Sequence, residues 1–113
     1  MKFIERKTLP AQMVSHNRAI PKYSFCENGC VPNMIYFSQA EFPPGEIATA
    51  HRHIDMTELF YVVSGEGEIE VDGLVQPLCS GNCVVIEPGE LHEVRNTGLQ
   101  TLILLCQGLK AEA

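Results

Sequence analysis

Three histidines and one glutamate, His51, His53, Glu58 and His92, carry most of the chemistry that this chain can offer. In the segment GEIATAHRHIDMTELFYVVSG, Gly45 precedes His51 by five intervening residues, then come His53 after one, Glu58 after four and Gly65 after six. Side chains alternate between the two faces of a strand, so histidines one residue apart point to the same side. Imidazole nitrogen and carboxylate oxygen together suit zinc, iron, nickel, copper or manganese. Four such ligands on an ion that prefers six would leave two positions for water, dioxygen or a chelating molecule. An ion open in this way can polarise a carbonyl or acidify a water, and a redox-active one can activate dioxygen. Spacing alone places no acid or base beside the four, so no catalytic residue is assigned.

The elements that must carry these residues are short. Turn residues recur at Asn28-Gly29, Pro43-Pro44-Gly45, Ser64-Gly65, Asp72-Gly73, Ser80-Gly81, Pro88-Gly89 and Thr97-Gly98, with runs rich in Val, Ile, Phe and Tyr between them. Regular short strands of this kind predict an all-β sandwich or barrel with little helix. GEIEVDG alternates charged and apolar residues and ends in an Asp-Gly hairpin signal, which predicts a strand with one wet face. The continuous apolar runs VVIEPG and TLILLC predict strands covered on both sides. A further strand spans residues 33–42, with Ile35, Phe37 and Gln39 on one face and Met34, Tyr36 and Ser38 on the other; spacing leaves open which face turns inward. Residues 1–25, with Pro10 and Pro21, read as an N-terminal arm holding a short strand, and residues 26–113 as one barrel domain.

At 113 residues there is room for a single domain only. A formal charge of −6, from 14 acidic and 8 basic residues, argues against nucleic acid or an anionic membrane as partner. The N-terminal stretch MKFIERKTLPAQM interrupts each apolar run with charge, so a soluble, cytoplasmic protein is expected. Five cysteines without an export signal are then expected to be reduced thiols. Cys26 with Cys30 and Cys79 with Cys83 share a spacing seen at zinc sites, so a second, structural zinc is an alternative to buried free thiols; Cys106 belongs to the core. His16 has no partner motif and reads as ordinary surface.

A second cluster, GNCVVIEPGELHEVRN, runs from Gly81 through Gly89 to His92 and Asn96. The two segments together resemble the two motifs of the cupin superfamily: Gly, two His and Glu in the first, and Gly, Pro, Gly, His and Asn in the second. The likeness spans residues 45–96. It implies a cupin double-stranded β-helix, or jelly-roll barrel, in which facing hairpins bring His51, His53, Glu58 and His92 onto one divalent metal ion, zinc, nickel, iron or manganese. It also implies a homodimer, with the N-terminal arm as the exchanged strand. Where the family commonly has Pro, this chain has Glu87, either a solvated turn residue or a carboxylate at the rim of the site; Pro88 preserves the turn.

By alternation, Phe60 and Val62 share the face of Glu58, and Val94 and Asn96 that of His92, which gives the cavity an apolar wall. Arg52 and Arg95 are out of phase and should point away. Two functions fit this resemblance. One is a metal-dependent isomerase, decarboxylase or dioxygenase acting on a small oxygen-rich molecule such as a sugar or keto acid. The other is a non-enzymatic module that binds a metal or small molecule.

Overall fold

The computed structural model describes residues 1–15 and 17–111; His16, expected on the surface, lies outside the described residues. One turn of 3-10 helix, Arg6–Thr8, precedes ten strands: β1 (Gln12–Val14), β2 (Asn17–Cys26), β3 (Met34–Phe42), β4 (Ile47–His51), β5 (Met56–Ser64), β6 (Gly67–Val71), β7 (Leu74–Leu78), β8 (Cys83–Ile86), β9 (His92–Arg95) and β10 (Leu102–Lys110). They form two antiparallel sheets, in the orders β1-β2-β3-β10-β5-β8 and β4-β9-β6-β7. The chain is all-β, as its turn punctuation predicts, and the sheets pair as a jelly-roll barrel. No helix among the described residues is long and apolar enough to cross a membrane.

Inward residues of the larger sheet, including Ile20, Phe42, Val62, Leu102 and Leu104, meet Ile69, Leu78 and Val94 of the smaller in one core. The β6–β7 hairpin turns on Asp72 and Gly73 with φ of 47° and 85°. Both values are positive, as a two-residue hairpin of type I′ requires. Ile69 is buried while Glu68 and Glu70 on either side remain accessible, so β6 has the one wet face its sequence predicts.

Three sequence expectations change. β2 is ten residues long, pairs with β3 from Lys22 to Cys26 and buries Ile20 completely. Arg18 and Lys22 share the parity of Ile20 and disguise its alternation. VVIEPG is not covered on both sides: β8 is an edge strand, Val85 is 56% exposed, and only Ile86 is buried. TLILLC belongs to β10, which lies centrally between β3 and β5, yet Ile103 and Leu105 on its outer side are only half-buried.

The cysteines also depart from expectation. Cys26 and Cys30 form a disulfide, with Cα atoms 5.6 Å apart. A turn in which Cys30 N donates to Glu27 O at 3.0 Å folds the chain back to a separation that such a bond can span. These two sulfurs therefore offer no thiolates to a second zinc; Cys79 and Cys83 are exposed, and Cys106 is buried in β10.

Candidate metal centre

His51 closes β4, and its direction depends on a bulge. Against β9, Ala48 pairs with Val94 but His51 pairs with His92, so β4 holds one residue more than its partner between these positions. Strict alternation would put Ala48 and His51 on opposite faces; the extra residue resets the phase and both line the cavity. His53 lies beyond the strand, in the β4–β5 loop, rather than on one strand with His51. Its carbonyl accepts a 2.7 Å hydrogen bond from Gly89 N, so the turn of the second motif holds the loop of the first. Glu58 is the third residue of β5 and His92 the first of β9. Leu91, immediately before His92, is held from both sides by Asp72: Asp72 N donates to its carbonyl at 2.8 Å, and its N–H donates to Asp72 Oδ1 at 2.9 Å.

Each of the four residues presents a donor atom to a common point, and these atoms all lie within 4.8 Å of one another. Glu58 and His92 are 5% and 1% exposed, while His51 and His53 are half-buried. His51 Nδ1 lies 2.8 Å from Thr49 O, and His92 Nδ1 lies 2.9 Å from Glu90 O. A carbonyl accepts only from a protonated nitrogen, so in the neutral rings Nε2 keeps the lone pair a metal needs. His92 Nε2 stands 3.1 Å from Glu58 Oε1, and His53 Nε2 3.4 Å from the same oxygen. Despite this closeness, neither Glu58 Oε1 nor His92 Nε2 has a directed hydrogen-bond partner among the described residues, and both atoms are buried. Two lone-pair atoms facing each other away from water repel unless a cation lies between them. The donor set fits a divalent ion for that reason.

Electrostatics agree. Burial pushes the Glu58 carboxyl up, but contacts with His92 and Tyr36 and the charges of His53 and His92 outweigh it, leaving its pKa below the usual value. Burial pushes His92 down, but Glu58 and the Glu90 carbonyl outweigh it, so its pKa lies above the usual imidazole value.

These groups open onto a cavity of about 200 Å³ between the sheets, below the roughly 300–1,000 Å³ of pockets for drug-sized ligands. Phe60 and Val94 line it, as alternation predicts, whereas Val62 packs in the core and Asn96 acts elsewhere. Asn96 Nδ2 donates to Phe42 O at 2.8 Å and Gln100 O at 2.9 Å, and its Oδ1 accepts from Gly98 N, a clip between the second motif and β3. Glu87 is an exposed turn residue. Arg52 is exposed, and Arg95 points away from the cavity to bind Glu68, Glu70 and Glu93 across the outer face of the smaller sheet.

Sequence reasoning did not identify Tyr36. It is the even face of β3 that turns inward, and Tyr36 Oη donates to Glu58 Oε2. Burial above all, then the nearby Cys106 and Glu58, raises its pKa, so it remains a phenol and a donor. Tyr36 and Glu58 both pair with Gly108 on β10, which separates their strands. A Cβ on Gly108 would stand 2.6 Å from Tyr36 Cε1 and 2.9 Å from Met56 Sδ. The ring therefore crosses β10 only because residue 108 has no side chain. A glycine inside an otherwise apolar strand was the signal available. Gly108→Ala should displace the ring and weaken metal binding about 10–100-fold, the range for loss of a partner behind a ligand. Tyr36→Phe should reproduce this loss in a competition titration; unchanged affinity in both would show that the bond does not orient Glu58.

The chain resembles known proteins in both sequence and fold. It is 32% identical over 62 residues to the Oxalate-binding protein of Thermotoga maritima, covering 55% of this chain and 51% of that one. It is 36% identical over 55 residues to Protein SchB of Streptomyces halstedii, covering 49% and 40% of the two chains. The chain thus spans about half the length of the curated relatives it matches. Among solved structures, it superposes on a predicted oxalate decarboxylase of T. maritima with a TM-score of 0.90 at 21% identity, covering 96% and 99% of the two chains. It superposes on the polyketide cyclase RemF of Streptomyces resistomycificus with a TM-score of 0.83 at 19% identity, covering 99% and 80%. At such identities the structural likeness concerns the fold alone. Residues 38–108, more than half of the chain and including all four converging residues, match the family described as Cupin domain, and the chain belongs to that family.

Proposed function

We propose that His51, His53, Glu58 and His92 hold one divalent metal ion, zinc, nickel, iron or manganese, and that the barrel uses it to bind a small oxygen-rich molecule such as a sugar or keto acid. The observation that carries this reading is the buried pair Glu58 Oε1 and His92 Nε2, 3.1 Å apart and without a directed hydrogen bond among the described residues. Once bound, the ion would supply Lewis acidity toward the ligand's oxygens. The chain supplies the rest: carbonyls of Thr49 and Glu90 orient two imidazoles, Tyr36 holds the second oxygen of Glu58, and Phe60 and Val94 keep the cavity apolar. The likeness to a protein named for oxalate binding supports small carboxylates as ligands.

Elemental analysis of protein isolated without added metal tests the proposal, with about one divalent ion per chain expected; background content after incubation with each of the four metals would reject it. Metal and protons compete for the same imidazoles. Because contacts with Glu58 and the Glu90 carbonyl hold the pKa of His92 above the usual imidazole value, protons compete more strongly there than at a free imidazole, and apparent metal affinity should fall steadily as pH drops from 8 to 5. The contribution of His92 to the metal-free fold runs the other way: it is present below the unfolded pKa and lost as pH rises through the raised folded value. The metal-induced rise in Tm should therefore grow with pH, and a flat profile would count against histidine ligation. The proposal includes a homodimer formed through the N-terminal strands, which light scattering showing a monomer at micromolar concentration would reject.

A further inference from the structure

We infer that the cavity takes a linear dicarboxylate, with one carboxylate at the metal and the other held by Lys22 and Ser38. This rests on the metal-binding reading above and adds the ligand's class and length. Lys22 and Ser38 line the same cavity as the four ligands. On β3, Tyr36, Ser38 and Ala40 face inward in succession, and Lys22 of β2 pairs with Ala40 while Ser24 pairs with Ser38. Lys22 and Ser38 are thus diagonal neighbours, about 7–8 Å apart at the backbone and within reach of a long side chain. Ser38 is 4% exposed, and neither its hydroxyl nor the Lys22 ammonium makes a hydrogen bond or ion pair with a described residue. A hydroxyl on a buried residue and a half-buried lysine, neither hydrogen-bonded among the described residues and both lining a cavity whose wall includes Ala40, Phe60, Val94 and Leu104, are polar groups placed for a ligand. Lys22 also lies close enough to the core for its charge to act on the buried Cys106 thiol, which Glu58 influences with the opposite sign.

Charge and length define the ligand. A divalent ion with the Glu58 carboxylate and neutral imidazoles leaves one positive charge, and Lys22 adds a second at a distance, which suits a dianion with separated charges. Tyr36, beside the metal group, and Ser38 are two residues apart on one strand, about 7 Å. A short methylene spacer between carboxylates covers that distance; oxalate, with its carboxylates directly joined, does not.

Isothermal titration of zinc-loaded protein with oxalate, malonate, succinate and glutarate, and with butanoate and pentanoate, decides the matter. Succinate or glutarate should bind at least about tenfold tighter than the monocarboxylate of equal length, since the second carboxylate gains a charge-assisted hydrogen bond. Lys22→Met should reduce that preference below about threefold, Lys22→Arg should retain most of it, and zinc content should be unchanged in both. Tightest binding to oxalate, or a preference that survives in Lys22→Met, would overturn the inference. The comparison of di- and monocarboxylates in the unmodified protein decides even if Lys22→Met does not fold. Zinc uptake without any dicarboxylate preference defeats this inference alone, whereas failure to take up zinc defeats the metal reading beneath it.

Discussion

Replacing His51 and His53 together with alanine is expected to abolish the proposed metal binding while leaving the protein folded. Structural zinc in small domains is held with about 10–16 kcal/mol in all, or about 3 kcal/mol for each of four ligands. Losing two ligands should cost about 6 kcal/mol, and at 1.4 kcal/mol per factor of ten the affinity falls about ten-thousandfold. The pair is chosen because of where it lies. His51 and His53 are half-buried at the mouth of the site, and His53 is outside any strand, so truncation opens no closed core. Glu58 and His92, by contrast, are buried within β5 and β9, and removing one leaves the other uncompensated. Elemental analysis of the double variant should give background metal with a metal-free Tm close to that of the parent. Equal metal content in parent and variant would place the ion elsewhere.

The largest effect on stability is expected from Gly65→Ala. Gly65 has a φ of 89°, and a Cβ there would stand 2.4 Å from Thr101 O and 2.8 Å from Leu102 Cα. Both are backbone atoms at the entrance to the central strand β10, so no side chain can swing aside. The left-handed conformation costs about 1–2 kcal/mol for a residue with a Cβ, and overpacking adds about 1–3 kcal/mol. A total of about 2–5 kcal/mol corresponds to a fall in Tm of roughly 10–20 °C in a domain of this size. Gly45 provides the control: its φ is 84°, but no atom of the described residues lies within 4 Å of the position of its Cβ. Gly45→Ala should therefore lose only the conformational part. Equal losses at the two positions, measured by thermal unfolding, would show that the approach of β10 to residue 65 is not what requires glycine there.

Much of the site is legible in the sequence. Residue type restricts His51, His53, Glu58 and His92 to a small set of chemistries, and turn residues mark where the strands end. The period of two relates His51 to His53, but its inward aim comes from the extra residue in β4 opposite β9, which only the pairing reveals. His53 was placed on a strand and instead sits in a loop fixed by Gly89 N, a bond between two segments far apart in the chain.

Alternation also explains what remained open. It divides β3 into two faces without saying which turns inward, so Tyr36 and Ser38 could not be separated from Ile35 and Phe37. The decision depends on β10, where Gly108 leaves space for the Tyr36 ring to reach Glu58. The bond between Cys26 and Cys30 likewise depends on a turn that brings their Cα atoms together, not on the number of cysteines. Apolar content suggested that VVIEPG was enclosed, but burial of β8 depends on its neighbours, and it has a partner strand on one side only.

The sequence by itself therefore determined the all-β class, the turns and the four candidate residues that converge, because residue chemistry, turn preference and side-chain alternation are local properties. Only the tertiary structure decided the phase reset in β4, the inward face of β3, and the shared cavity of Tyr36, Ser38 and Lys22. Those depend on which strands lie side by side and in what register, a property of pairs of segments that no single stretch of chain contains.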